Sequence, residues 1–280
     1  MQRKYICLRE SKVTKMSVKI KEVVNALERF APLPLQESYD NAGLQVGLTE
    51  AWEVSGALLC LDVTECVLDE AIRLGCNLIV SHHPLVFHKL SHISDETYVQ
   101  RIVFKAIENH VAIVSMHTNL DNAAGGVNFK IAEKMKLQNT TFFGDVQTVD
   151  GVDGASGVIG TLETPMTAEE FLGHLKTTFQ VKCVQANEFL HRKISKVAVC
   201  GGAGSFLLHD AIAAGADAFV TGEMHYHEYF DCEQKIQIAV IGHYQSEQYT
   251  KELLKEIIEK SFPSVKCYLS DINTNPILYV

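Results

Sequence analysis

The chain has 280 residues, 47% hydrophobic and 21% charged, with a formal net charge of −9. This suits a globular protein of two modest domains or one large one, with a sizeable core. The acidic balance argues against a general nucleic-acid-binding surface, which is ordinarily basic, and leaves room for a small anionic ligand held at a local positive centre such as a metal. No apolar run approaches the roughly 18 residues of a membrane span. The N-terminal "MQRKYICLRESKVTK" has basic residues but no apolar core, so it reads as no signal peptide and the cytoplasm is the expected compartment. The eight cysteines contain no C-x-x-C pair. They read as reduced, buried thiols rather than a zinc knuckle.

In chain order, residues 1–15 read as an N-terminal extension with no role in activity. Met16 opens "MSVKIKEVVNALERFAP", in which Val18, Ile20, Val23, Val24, Leu27 and Phe30 recur at helical spacing. "VSGALLCLDV" predicts a strand, "TECVLDEAIRLG" a helix and "CNLIVSHHP" a strand running into a loop. "ETYVQRIVFKAIENH" predicts a helix and "VAIVSMHTNLD" a further strand and loop. This alternation is the α/β pattern. Residues 140–190 are Gly-rich and strand-forming, then start a helix with the capping box Thr167-x-x-Glu170. They read either as the first part of a second half or as a connecting subdomain. The earlier order then returns: strand "ISKVAVCGGAG", helix "SFLLHDAIAAG", strand "ADAFVTGEMHYHE", strand "IQIAVIGHYQSE", helix "QYTKELLKEIIEK". The expected organisation is a first α/β domain over 16–135 and a second over 136–280, related by an internal quasi-repeat.

The repeat aligns "EAIRLGCNLIVSHH" with "DAIAAGADAFVTGE", setting His83 against Glu223. It also aligns "AIVSMHTNLD" with "IAVIGHYQSE", setting His117 against His243 and Asp121 against Glu247. Each half then ends a strand in His with a carboxylate four residues on, and strand ends are where open α/β sheets present their chemistry.

Each candidate has a bland reading beside the functional one. His82 and His83 are a surface turn or, with Pro84 ending the strand, ligands to two ions roughly 3.5–4 Å apart. Glu247 complements a helix dipole or binds metal, with Ser246 as the expected N-cap. Asp121 makes an Asx-turn in a loop or binds metal. Taken together, three imidazoles and two carboxylates around two divalent ions would leave a surplus positive charge. That charge would favour an anionic substrate. The donor set suits Zn, Fe or Mn better than Cu(I). The loop Gly201–Ser205 binds phosphate or is a tight turn. Glu223, His225 and His227 follow another strand end and would line the same cleft, with Glu223 as a candidate base. His88, His92, His110, His174, His191 and His209 show no such pattern.

"ESYDNAGLQVG" (37–47), "SHHP", "HTNLDNAAGGVN", "CGGAGS", "TGEMHYHE" and "GHYQSE" run in order between Met16 and Val280. Together they resemble the NIF-three-like proteins of the YbgI-type dinuclear metal-centre group. The resemblance implies two similar α/β domains, a toroidal homohexamer and a two-metal site inside the ring. Its implied ligands are His82, His83, Asp121, His243 and Glu247, with Glu247 as bridge and His117 as a further site-lining histidine. Longer members carry a central inserted domain, which this chain is too short to hold. Members are often labelled GTP cyclohydrolase type 1, type 2 homologues. The expected function is therefore a metal-dependent hydrolase, most sharply a GTP cyclohydrolase-like purine ring hydrolase acting on a small anionic substrate such as a nucleotide. His117 or Glu223 would move protons. A phosphoester or nucleotide hydrolase and a non-enzymatic metal-binding regulatory protein are the alternatives.

Overall fold

A computed structural model describes residues 17–280; the predicted extension 1–15 lies outside the described residues. Helix α1 (Ile20–Phe30) leads to strands β1 (Gly43–Val46) and β2 (Ala57–Cys60), helix α2 (Glu65–Arg73), β3 (Leu78–Ser81), α3 (Tyr98–Glu108) and β4 (Ala112–Ser115). Two helices follow, α4 (Thr118–Asn122) and α5 (Val127–Lys134). The chain continues through β5 (Gln138–Phe143), a hairpin of β6 (Gln147–Val149) and β7 (Val152–Gly154), β8 (Gly157–Met166), α6 (Ala168–Phe179), β9 (Gln185–Ala186) and β10 (Ile194–Cys200). It ends with α7 (Leu208–Ala213), β11 (Ala218–Thr221), β12 (Gln237–Val240), α8 (His243–Glu247), α9 (Thr250–Ser261) and β13 (Cys267–Leu269).

Two larger sheets result, ordered β1-β4-β3-β2-β13 and β5-β8-β10-β11-β12-β9. In the first, β13, β2, β3 and β4 are parallel and β1 is antiparallel to β4. In the second, β10, β11 and β12 are parallel, while β9 pairs antiparallel with β12 and β8 with β10. The segment 140–190 supplies β8 and β9 to this second sheet, and α6 opens on the Thr167–Glu170 capping box. The chain crosses back near its end: β13 pairs with β2, Cys267 opposite Ala57 and Leu269 opposite Leu59. Every residue of β2 is buried, so that apolar edge is one a sheet must cover.

The parallel strands are apolar on both faces, as strands covered on two sides must be. Leu58, Ile79 and Ile113 pack with Val67, Leu68, Ile102 and Val103 of α2 and α3. Leu59, Val80 and Val114 face the opposite way, into a core shared with Val197, Val199 and Val220 of the second sheet. Helices α1, α5, α6 and α9 contribute Leu27, Ile131, Phe171 and Leu254 to that same core. Phe219 and Ile238 face outward onto Leu208 and Ala211 of α7. Helices thus cover the outer faces of both sheets and fill the space between them. Among the described residues no helix is long and apolar enough to cross a membrane. Seven cysteines lie there, all free. Cys60, Cys76, Cys200 and Cys232 are buried as expected, whereas Cys66 and Cys183 are exposed.

Candidate metal centre

The carboxyl ends of β3, β4, β11 and β12 carry His82–His83, His117, Glu223 and His243. Beyond Ser81 the backbone leaves regular pairing: His82 N and His83 N both donate to Leu61 O, at 3.2 and 3.0 Å. The strand has ended, so the two imidazoles no longer alternate across a sheet. Their ring centroids lie 4.8 Å apart. Asp121 sits in helix α4 rather than in the expected loop. The expected N-cap at Ser246 is also corrected, because α8 begins at His243 and places His243 and Glu247 one turn apart on one face. Ser246 lies inside this helix, where its hydroxyl donates to His243 O at 2.7 Å and accepts from Gly202 N at 3.0 Å.

The sequence-predicted residues converge. His82 Nε2 lies 3.6 Å from Asp121 Oδ1 and 3.7 Å from Glu247 Oε1. His83 Nε2 and His243 Nε2 each lie 3.1 Å from Glu247 Oε2, and 3.4 Å from each other. Three groupings have ligand atoms within 4.8 Å of one another: His82 with His83 and His117, His83 with His243 and Glu247, and His82 with Asp121 and Glu247. Glu247 belongs to two of them and its side chain is only 5% exposed.

Four acceptors fix the imidazoles from behind. His82 Nδ1 lies 2.8 Å from Met116 O, His83 Nδ1 2.7 Å from Asp62 Oδ1, His117 Nδ1 2.8 Å from Asp40 Oδ1 and His243 Nδ1 2.8 Å from Glu223 Oε1. A carbonyl can only accept, so His82 Nδ1 carries the proton, and in the neutral ring Nε2 is a bare lone pair. That buried nitrogen has no hydrogen-bond partner, and neither has Glu247 Oε2. Lone pairs of nitrogen and oxygen facing one another in a buried site call for a cation. The arrangement of ligating Nε2 and anchored Nδ1 is the one that metal-binding histidines show. These residues fit a metal.

The charges agree. Burial disfavours the charged imidazole, yet Asp62 and Glu247 raise His83 to about 10, and Glu247 with Glu223 raises His243 to about 9. Burial, reinforced by the charge of Glu247, raises Asp121 to about 7. Against burial, the surrounding imidazoles hold Glu247 well below the usual carboxylate range. Against burial too, the His117 and Thr118 hydrogen bonds bring Asp40 to about 2. A metal entering this site displaces the protons of His83 and His243. Zn(II) uptake at pH 7 is therefore expected to release protons, and apparent affinity to rise with pH until about 10, where His83 has lost its proton as well as His243. Calorimetry in buffers of different ionisation enthalpy measures this; uptake without proton release would contradict the geometry.

Other predicted residues fall elsewhere. Glu223 stands behind His243 rather than beside the carboxylates. His225 caps a 3₁₀ turn and borders a second cavity with Glu223 and His243, while His227, inside that turn, stacks on Phe230 outside the cluster. His88 packs on Phe87. In the loop Gly201–Ser205, Gly201 N donates to Asn128 Oδ1 at 2.8 Å and Gly202 N to Ser246 Oγ. Those two amides are committed inside the protein, and the loop lays its backbone against Glu247. Asp40, Asp62 and Thr274 are additions to the sequence reading. Asp62 stands two residues past the end of β2, as His117 stands two past β4, so the strand-end rule that singled out the histidines applies to it too. A cavity of about 220 Å³ opens beside the cluster, bordered by His117, Asp121, His243 and Glu247, with Glu37 and Phe206 on its walls. Among the described residues no Lys or Arg lines it.

Known proteins share this framework. The Duf34/NIF3 (NGG1p interacting factor 3) family matches residues 18–276. A Clostridium perfringens protein named GTP cyclohydrolase 1 type 2 homolog is 36% identical over 231 residues, 82% of this chain and 87% of its own. One of the same name from Clostridium acetobutylicum is 34% identical over 234 residues, 83% and 86% of the two chains. The crystal structure of Staphylococcus aureus protein SA1388 superposes with a TM-score of 0.83 at 28% identity, covering 94% of this chain and 99% of that one. A Bacillus cereus protein related to NIF3 gives 0.81 at 27% identity, covering 94% and 99%. The chain belongs to the Duf34/NIF3 family.

Proposed function

We propose that this chain is a dinuclear-metal-dependent hydrolase, with His82, His83, Asp121, His243 and Glu247 holding two divalent ions, Zn, Fe or Mn. The observation that carries this reading is the convergence of imidazole nitrogens, each anchored through Nδ1, on a buried carboxylate. Glu247 serves as the bridge, because its two oxygens face different histidines. The ions would supply Lewis acidity and a water that ionises near neutral pH.

The chain's own residues supply the rest. Met116 O, Asp62 and Glu223 hold three imidazoles in their ligating tautomer. His117 is held by Asp40 and borders the cavity, so its Nε2 is placed to take or give a proton. Glu223, the other proton-moving candidate, serves to orient His243. No Lys or Arg borders the cavity among the described residues, so a small anionic substrate such as a nucleotide would meet its counter-charge at the ions.

The sharpest form of the proposal is GTP cyclohydrolase-like opening of a purine ring, supported by the names of the Clostridium relatives. Two similar domains, 16–135 and 136–280, go with it, the last strand of the second, β13, being lent to the sheet of the first. The orders β1-β4-β3-β2 and β9-β12-β11-β10 correspond, and the first strand of each is antiparallel to the rest. We further propose a cytoplasmic toroidal homohexamer. Exposed Tyr226, Phe230 and Phe206, at 74%, 57% and 61%, are apolar surface suited to an interface between copies.

The test is turnover by metal-reconstituted protein. GTP is expected to give formate and a ring-opened product. Turnover of phosphoesters without formate would replace the cyclohydrolase reading with phosphoester hydrolysis. No turnover of either, with two ions confirmed per chain, would contradict the hydrolase and leave a metal-binding regulatory protein.

A further inference from the structure

The two groupings that share Glu247 are not built alike. In the His82–Asp121–Glu247 grouping, the His82 side chain is fully buried and its Nδ1 is held by a main-chain carbonyl. In the His83–His243–Glu247 grouping, the imidazoles are 24% and 32% exposed. Their Nδ1 atoms are held only by side-chain carboxylates, Asp62 and Glu223, themselves 35% and 55% exposed. Main-chain atoms of a packed strand end do not swing. A partly exposed aspartate does, unless its second oxygen is also tied.

Asp62 is tied. Its Oδ1 accepts from His83, and its Oδ2 accepts from the hydroxyl of Thr274. Thr274 lies in the irregular segment after β13, far from Asp62 in sequence. The segment is first pinned to the first sheet, where Ser270 N donates to Leu59 O at 2.9 Å and Ser270 Oγ to Glu70 Oε2 at 2.5 Å. It then runs exposed, except that Thr274 and Asn275 are partly buried where it meets Asp62. Asn275, Pro276 and Ile277 next border a cavity shared with His83, Glu223 and His243. The stretch thus makes its one side-chain hydrogen bond to the centre's supporting residues through a hydroxyl.

We propose that Thr274 is a positioning residue for the metal centre. By fixing Asp62 it sets the orientation of His83, and so the strength of the ion position formed by His83, His243 and Glu247, but not of the one formed by His82, Asp121 and Glu247. This rests on the two-ion reading above. Partners behind a ligating histidine commonly change metal affinity about 10- to 100-fold.

The experiment is a chelator titration of the Zn(II)-loaded protein, with the ions remaining per chain counted by elemental analysis. Thr274→Val is expected to release one ion at about 10- to 100-fold weaker chelation than the parent, with the second ion unchanged. Thr274→Ser, which keeps the hydroxyl, is expected to behave as the parent. Asp62→Asn is a second variant, expected to weaken the same single ion. Ser270→Ala removes a side-chain contact of the same segment to Glu70 while keeping the Ser270 N to Leu59 O bond and the Thr274 hydroxyl on Asp62, and is expected to leave both ions as in the parent. Parental behaviour of Thr274→Val would overturn the proposal. So would equal weakening of both ions, or a Ser270→Ala effect as large as that of Thr274→Val. A parent chain that takes up no Zn(II) would instead overturn the two-ion reading on which the proposal stands.

Discussion

With the two proposed ions in place, Glu247→Gln is expected to strip the centre of both, lowering metal content from two per chain to fewer than one after dialysis. The reason is geometric. Oε1 faces His82 at 3.7 Å, while Oε2 faces His83 and His243 at 3.1 Å, so one side chain serves both groupings. A glutamine replaces one acceptor with an N–H donor and removes the charge that offsets the cations. Loss of one partner from a buried ionic cluster costs about 3–5 kcal/mol, enough to lower metal affinity by about two to three and a half orders of magnitude. The metal-free variant carries a second signature. Without Glu247, His83 and His243 lose a main cause of their raised values of about 10 and about 9, and the opposing effect of burial gains weight. Both imidazoles are expected to titrate at lower pH, which NMR of the ring protons measures. Retention of two ions by Glu247→Gln would remove this residue as the bridge.

Gly202→Ala is expected to damage the same centre from a position that carries no functional group. Gly202 has a φ of +57°, and a Cβ there would lie 2.3 Å from Glu247 Oε1 and 3.4 Å from His243 Nε2. Either the loop or Glu247 must move. Gly202 N also donates to Ser246 Oγ inside α8, so a loop shift disturbs the helix that carries His243 and Glu247. Overpacking of this kind costs about 1–3 kcal/mol, with metal affinity expected to fall about tenfold or more. Gly215→Ala is the matched control. Its φ is +71° and a Cβ there meets nothing within 4 Å, so it carries the backbone strain alone. Gly215→Ala is expected to lower Tm slightly and keep its metal content; equal metal loss in both variants would mean that strain, not the approach to Glu247, is responsible.

The ligand candidates were legible because parallel strands leave a strong pattern. Runs such as 78–80 are apolar on both faces, and the polar residues after them lie at the sheet's carboxyl edge, where Ser81 is followed by His82 and His83. The His-x-x-x-carboxylate spacing at 117–121 and 243–247 marks a repeat in the sequence itself. Their groove partners were not legible in the same way. Asp40 reaches His117 across 77 positions, and Thr274 reaches Asp62 across 212. No local periodicity marks such contacts, because they depend on how separate strand ends are brought together. The pairing of β13 with β2 is hidden for the same reason, since a three-residue strand near the end of the chain has no pattern of its own. Ser246 shows a local rule overridden: its residue type suits an N-cap, but Gly242 turns the chain early, and the hydroxyl serves the neighbouring loop instead.

The most direct test of the metal centre is a crystal structure of the reconstituted protein, with anomalous diffraction recorded on both sides of the metal's absorption edge. Two peaks per chain are expected, one among His82, Asp121 and Glu247 and the other among His83, His243 and Glu247. An absence of anomalous density between these residues, with metal bound elsewhere on the chain, would contradict the account.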